Sequence, residues 1–105
     1  MPVFPEYDGW KGGYPAWNVA LWLDNDEGLY VAARAIVAES ESRYEAAQTL
    51  KGMVEEENPL ADDASCFSDI LGWCLECIDW EEVAEHFEED MKYEPDQVGD
   101  EGGAE

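Results

Sequence analysis

The chain has 105 residues, with 27 Asp and Glu against 5 Lys and Arg, a formal charge of −22 and a hydrophobic content of 46%. Such a balance excludes a direct binder of nucleic acid or of anionic membranes, favours basic proteins as partners and burdens the compact state with self-repulsion. Five Trp, five Tyr and three Phe exclude a disordered acidic chain, which is poor in aromatics.

The length fits one domain around one core. No apolar stretch approaches the ~20 residues that span a bilayer, and no basic region followed by an apolar run and a small-residue cleavage site opens the chain. Cys66, Cys74 and Cys77, an odd number among helix-patterned residues, suit reduced thiols better than a disulfide framework. The expectation is a soluble, cytoplasmic protein.

Residues 1–14, with two Pro and three Gly, read as an irregular arm. Pro15 suits the first turn of a helix, and Trp17, Ala20, Leu21 and Asp24 follow at i, i+3, i+4 and i+7, predicting a helix over about 16–24. Asp24, Asn25 and Asp26 break it and offer N-cap oxygens to the next. There Leu29, Tyr30, Ala33, Ile36 and Val37 predict a helix over about 26–39. Ser42 and Glu45 form a capping-box pattern ahead of the stripe Tyr44, Ala47, Leu50 and Val54, which Asn58-Pro59 stops. A third helix is expected over about 42–56.

Phe67, Ile70, Leu71, Cys74, Leu75 and Ile78 predict a fourth helix over about 64–77, with Asp62, Asp63 or Ser65 available as caps. Asp79 and Glu82 form a second capping box, and Ile78 and Val83 occupy staple positions, starting a fifth helix at Trp80. Beyond Tyr93 the run EPDQVGDEGGAE is too polar to offset the entropy of ordering. No run alternates as strands do, apart from something short in the arm. The expected fold is all-α: a small bundle of about five helices in a single domain over 1–93, with a disordered acidic tail over 94–105.

On the fifth helix Trp80, Val83, Ala84, Phe87 and Met91 fall within about a third of the circumference. Glu81, Glu82, Glu85, Glu88 and Glu89 stand opposite. From Asp79 to Asp90 seven carboxylates follow ~18 Å of helix, one per ~2.6 Å, between the ~3.4 Å of one DNA strand and the ~1.7 Å of a duplex. Glu55, Glu56, Glu57, Asp62 and Asp63 form a second acidic segment able to extend this field. An ordinary solvated face mixes signs to gain ion pairs, whereas Lys92 is the only cation after Lys51. The second reading is an acidic, Lys-poor coat that serves solubility in molar salt.

Other constellations are weaker. Cys66, Cys74, Cys77 and His86 could supply zinc ligands, but a C-x-x-C zinc site is presented from a tight turn rather than a helical stripe, and buried free Cys is the simpler reading. His86 reads as a satisfied, partly buried imidazole beside Glu82 and Glu85. Asp24, Asp26 and Glu27 lack the spacing of a calcium loop, so capping explains them better. The five Trp read as core, with Trp10 or Trp22 as interface anchors if exposed. No cofactor, metal or catalytic residue is expected, and the chain is not expected to be an enzyme.

Trp17 to Tyr30, WNVALWLDNDEGLY, resembles the signature NYETWNVALWI-NDEGLY of a family of small uncharacterised proteins of phages, prophages and archaeal viruses. Tyr7-Asp8-Gly9-Trp10 resembles that family's start, and Ile78 to His86 its C-terminal "NW-EIAEH" helix. The chain departs from the signature at Pro15 and Ala16, where the family has Glu and Thr, so the usual Thr cap is missing. The resemblance implies a mobile-element origin and no biochemistry that transfers to particular residues. With the acidic surface, it leads to the expectation of a nucleic-acid mimic that inhibits a basic nucleic-acid-binding complex of host defence, a CRISPR effector or a restriction enzyme. The alternative is a non-inhibitory structural or accessory viral protein whose charge serves solubility.

Overall fold

The computed structural model describes residues 3–92 of the chain. Its helices are α1 (Tyr14–Asn25), α2 (Glu27–Glu39), α3 (Arg43–Glu56), α4 (Cys66–Cys77) and α5 (Trp80–Lys92). No extended strand occurs among the described residues; Tyr7 and Trp10 form one isolated antiparallel bridge in the arm. The fold is all-α, as the periodicity implied. The expected tail over 94–105 lies outside the described residues.

Short polar side chains set most boundaries. Asp26 is a one-residue hinge: its N–H donates to Trp22 O at 3.2 Å, closing α1, and its carboxylate accepts from Leu29 N at 3.0 Å, capping α2. Ser42 Oγ accepts from Glu45 N and Ser65 Oγ from Ser68 N, both at 3.1 Å, capping α3 and α4. Ser65 is thus the residue used among the three offered for α4. Asp79 Oδ1 accepts from Glu82 N at 3.2 Å at the start of α5. α1 begins earlier than its apolar spacing indicates, because Pro15 is already within its first turn and the N-cap is Gly13, with no side-chain cap bond. Gly13 has φ 87°, and a Cβ there would lie 2.6 Å from both Phe4 Cβ and Pro5 O, so the arm passes where only glycine leaves room.

α5 is the central element, packed against α1, α2 and α3. Val83, Ala84 and Phe87 are fully buried and Trp80 nearly so, joined by Leu50 and Ala47 of α3, Ala33 and Val37 of α2, and Ala16 and Leu23 of α1. Ala at so many of these positions lets the helices approach closely around α5. The sequence stripe is offset on two helices: Leu21 and Tyr44, expected inside, are exposed, while Leu23 and Ala46 are buried.

α4 departs most from expectation. Of its apolar stripe only Leu75 and, just beyond the helix, Ile78 are buried, whereas Phe67 is 73% and Ile70 61% exposed. The reason is tertiary. α5 is already enclosed by three helices, leaving α4 to rest Leu71 against the core and to insert Leu75, whose O accepts from Trp80 Nε1–H at 2.9 Å. The Trp residues divide accordingly: Trp80 is buried, Trp10 and Trp17 half-buried, and Trp22 and Trp73 exposed.

Candidate interaction face on α5

The glutamates singled out on α5 separate into two kinds. Glu81, Glu85 and Glu89 are exposed; four-residue steps carry them along the outer surface at ~6 Å intervals. Glu82 and Glu88 have structural partners. Glu82 Oε2 accepts from Lys11 N at 2.8 Å and its Oε1 from Gly12 N at 2.7 Å, pinning the N-terminal arm to α5. Glu88 receives a forked bond from Arg43, Nη2 to Oε1 at 2.7 Å and Nε to Oε2 at 3.2 Å. Both therefore already hold hydrogen-bonded partners within the chain.

The Glu82 grip also alters the expected capping box. Asp79 accepts from Glu82 N as the motif requires, but the returning carboxylate bonds to the arm instead of to its own cap. Glu45 is diverted in the same manner: its Oε1 accepts from Glu41 N at 2.6 Å. Gly12 is the arm residue that makes the close approach possible. A Cβ there would meet Glu82 Oε1 at 2.7 Å and Asp79 Cβ at 3.0 Å.

Two shallow grooves flank the exposed row. One, of about 370 Å³, is lined by Lys11, Arg43, Asp79, Glu81, Glu82 and Glu85. The other, of about 210 Å³, is lined by Gly9, Trp10, Glu82, Glu85, His86 and Glu89. In the second, the Trp10 and His86 rings lie 5.4 Å apart, and His86 Nε2 is 2.8 Å from Asp24 Oδ2 of α1. That bond gives His86 a partner on another helix, as the satisfied-imidazole reading holds, although the partner is Asp24 rather than the flanking glutamates. Asp26 caps α2, so neither of these acids is left to a calcium cluster.

Besides Lys92 in its own last turn, α5 receives opposite charge from other helices, which the local sequence does not suggest. Arg43 reaches Glu88 and stands 3.9 Å from Glu85, Arg34 Nε lies 4.0 Å from Asp90, which also accepts from Tyr30 Oη at 2.7 Å, and Lys92 is 3.4 Å from Glu89. The bond to Glu88 holds the Arg43 guanidinium above its ordinary pKa, with the Glu88 charge second. Lys51, 3.0 Å from Glu76, is raised chiefly by that hydrogen bond. No linear signal marks Arg34 or Arg43 as partners of residues more than forty positions away; the Gly12-Gly13 pair is the one cue that the arm packs closely.

The second acidic segment lies outside the lining of both grooves. Glu57 lines a small apolar cavity of about 140 Å³ with Trp22, Leu29 and Val54, Glu55 is half-buried, and Glu56, Asp62 and Asp63 are exposed around the connection to α4. Neither groove beside α5 includes any of these five residues. Among the described residues no group of three or more His, Cys, Asp or Glu is arranged to hold a metal ion. Cys66 is exposed, while Cys74 and Cys77 are half-buried; burial, then the neighbouring Cys77, pushes the Cys74 thiol above its ordinary pKa. No helix among the described residues is long and apolar enough to cross a membrane.

Residues 4–94 match the family described as a family of unknown function, DUF7249. Neither the curated proteins nor the solved structures contain a match.

Proposed function

The chain belongs to a family of unknown function, so its own surface has to carry a reading, and we propose that it is a cytoplasmic mobile-element inhibitor that occupies the nucleic-acid groove of a host-defence complex. The target class is a basic CRISPR effector or restriction enzyme. The likeness of residues 17–30 and 78–86 to phage and archaeal-virus sequences supports the setting.

The single observation that carries the mechanism is the exposed row Glu81, Glu85 and Glu89, held on a helix whose other side is the core. Net of Arg34, Arg43 and Lys92, the seven carboxylates from Asp79 to Asp90 leave four charges over ~18 Å, one per ~4.5 Å. That spacing is nearer the ~3.4 Å of a single DNA strand than the ~1.7 Å of a duplex. A groove lined by Lys and Arg would be steered to the row from a distance and would release its counterions on contact. No catalytic step is involved; inhibition is by occupancy.

The test reverses the exposed row alone. Glu81→Lys, Glu85→Lys and Glu89→Lys together leave the Glu82 and Glu88 bonds in place. Binding of labelled DNA by a purified effector or restriction complex is followed with and without the protein. Wild type is expected to block binding, and the triple variant to need on the order of 100-fold more protein. Equal inhibition by both, or none by wild type at low salt, would overturn the reading and leave the charge to solubility.

A further inference from the structure

α4 presents an apolar face that the described residues leave uncovered. At 100° per residue Phe67, Ile70 and Trp73 lie within ~120° of the helix circumference, and they are 73%, 61% and 57% exposed. Phe4 touches only the edge of this face, its ring 5.9 Å from that of Trp73. Cys66 lies in the same arc; the two acids of the helix, Asp69 and Glu76, fall outside it. Contiguous apolar surface of this kind marks an interface rather than scattered solvent contacts.

The charge of the chain selects the occupant. A Lys- and Arg-lined groove finds no complement in a stripe without carboxylates. A second copy, repelled by most of a surface carrying −22, meets least repulsion here. We propose that α4 joins two copies of this chain in an antiparallel, two-fold pair centred on Ile70. In that arrangement Ile70 faces Ile70 of the second copy, Phe67 faces its Trp73, and Cys66 faces its Cys74, an isologous contact in which each patch serves both sides.

The area fixes the strength. With an aromatic side chain contributing ~150–250 Å², the exposed parts of the three residues amount to roughly 350 Å² per copy, or roughly 700 Å² for the pair. That lies below the ~1,200 Å² of a standard interface, so the dimer is weak and exchanging. Its salt response is opposite to that of the α5 row: screening relieves the repulsion between copies and tightens the pair.

Sedimentation equilibrium under reducing conditions, which keep Cys66 from cross-linking, tests this directly. Between about 10 μM and about 1 mM the mass of the wild type should rise from one chain towards two, further at higher salt. Ile70→Glu and, without added charge, Trp73→Ser should each raise the dissociation constant at least about tenfold while circular dichroism is unchanged, since neither side chain is in the core. Mixing Ile70→Glu with Ile70→Lys should restore the dimer, because residue 70 meets itself only on a two-fold axis. A wild type that remains a monomer at every salt, growth beyond two chains, undiminished association of Ile70→Glu, or failure of the mixture to pair would each overturn the proposal.

Discussion

Removing Glu82 should cost the fold more than removing any exposed glutamate beside it. In Glu82→Ala two charge-assisted hydrogen bonds disappear, from Lys11 N at 2.8 Å and Gly12 N at 2.7 Å. Lys11 is exposed and Gly12 buried, so water replaces the carboxylate at the first N–H and not at the second. A hydrogen bond to a charged group contributes about 1.5–3 kcal/mol, and an orphaned buried donor costs about 1–3 kcal/mol. With the Lys11 bond largely recovered by solvent, the expected loss is about 2–4 kcal/mol from a total stability of about 5–15 kcal/mol. For a domain of this length that lowers the melting temperature by about 10–20 °C. Urea titration followed by Trp fluorescence measures the loss, and amide exchange at Lys11 and Gly12 locates it. Glu81→Ala, one residue away and exposed, is the comparator, expected within about 0.5 kcal/mol of wild type; Glu82→Gln, which keeps one carbonyl acceptor, should fall between. If Glu82→Ala matches Glu81→Ala and exchange at Gly12 is unchanged, the arm is not held by this carboxylate and the reasoning fails.

Gly13→Ala should destabilise by at least about 2 kcal/mol in thermal denaturation, because an L side chain at φ 87° is strained and its Cβ would meet Phe4 and Pro5. Phe87→Ala empties the centre of the core, where Phe87 is fully buried, and a loss of about 3–5 kcal/mol in chemical denaturation is expected. Alkylation by iodoacetamide, resolved by peptide mass spectrometry, should modify exposed Cys66 first and Cys74 last. Burial raises the Cys74 thiol above its ordinary range, so its thiolate fraction near neutrality is reduced and its rate should climb as pH rises towards that raised value; a Cys74 that reacts as fast as Cys66 at pH ~8 contradicts this.

Local chemistry was legible wherever both partners lie within a few residues. Ser42, Ser65 and Asp26 cap the helices that their positions announce, and the staple residues Ile78 and Val83 are both buried ahead of and within α5. What periodicity cannot decide is which of two apolar arcs a helix inserts. On α4 a broad apolar circumference holds two candidate faces, and packing already complete around α5 leaves Phe67 and Ile70 outside. The candidate site was half legible for a related reason. Glu81 and Glu82 are indistinguishable as neighbours in a charge run, yet one faces solvent while the other binds an arm 70 residues earlier in the chain. Separations of 45 and 62 residues likewise hide Arg43 from Glu88 and Asp24 from His86.

The passage from α4 to α5 leaves the chain almost no slack. Only Ile78 and Asp79 separate the helices; Ile78 is buried, Asp79 caps α5, and the Trp80 indole is tied back to Leu75 O. The junction therefore acts as a braced elbow rather than a swivel. α4 is a short lever on it, and a load that tilts its outer face is transmitted to the first turn of α5, where Glu81 stands and Glu82 grips the arm.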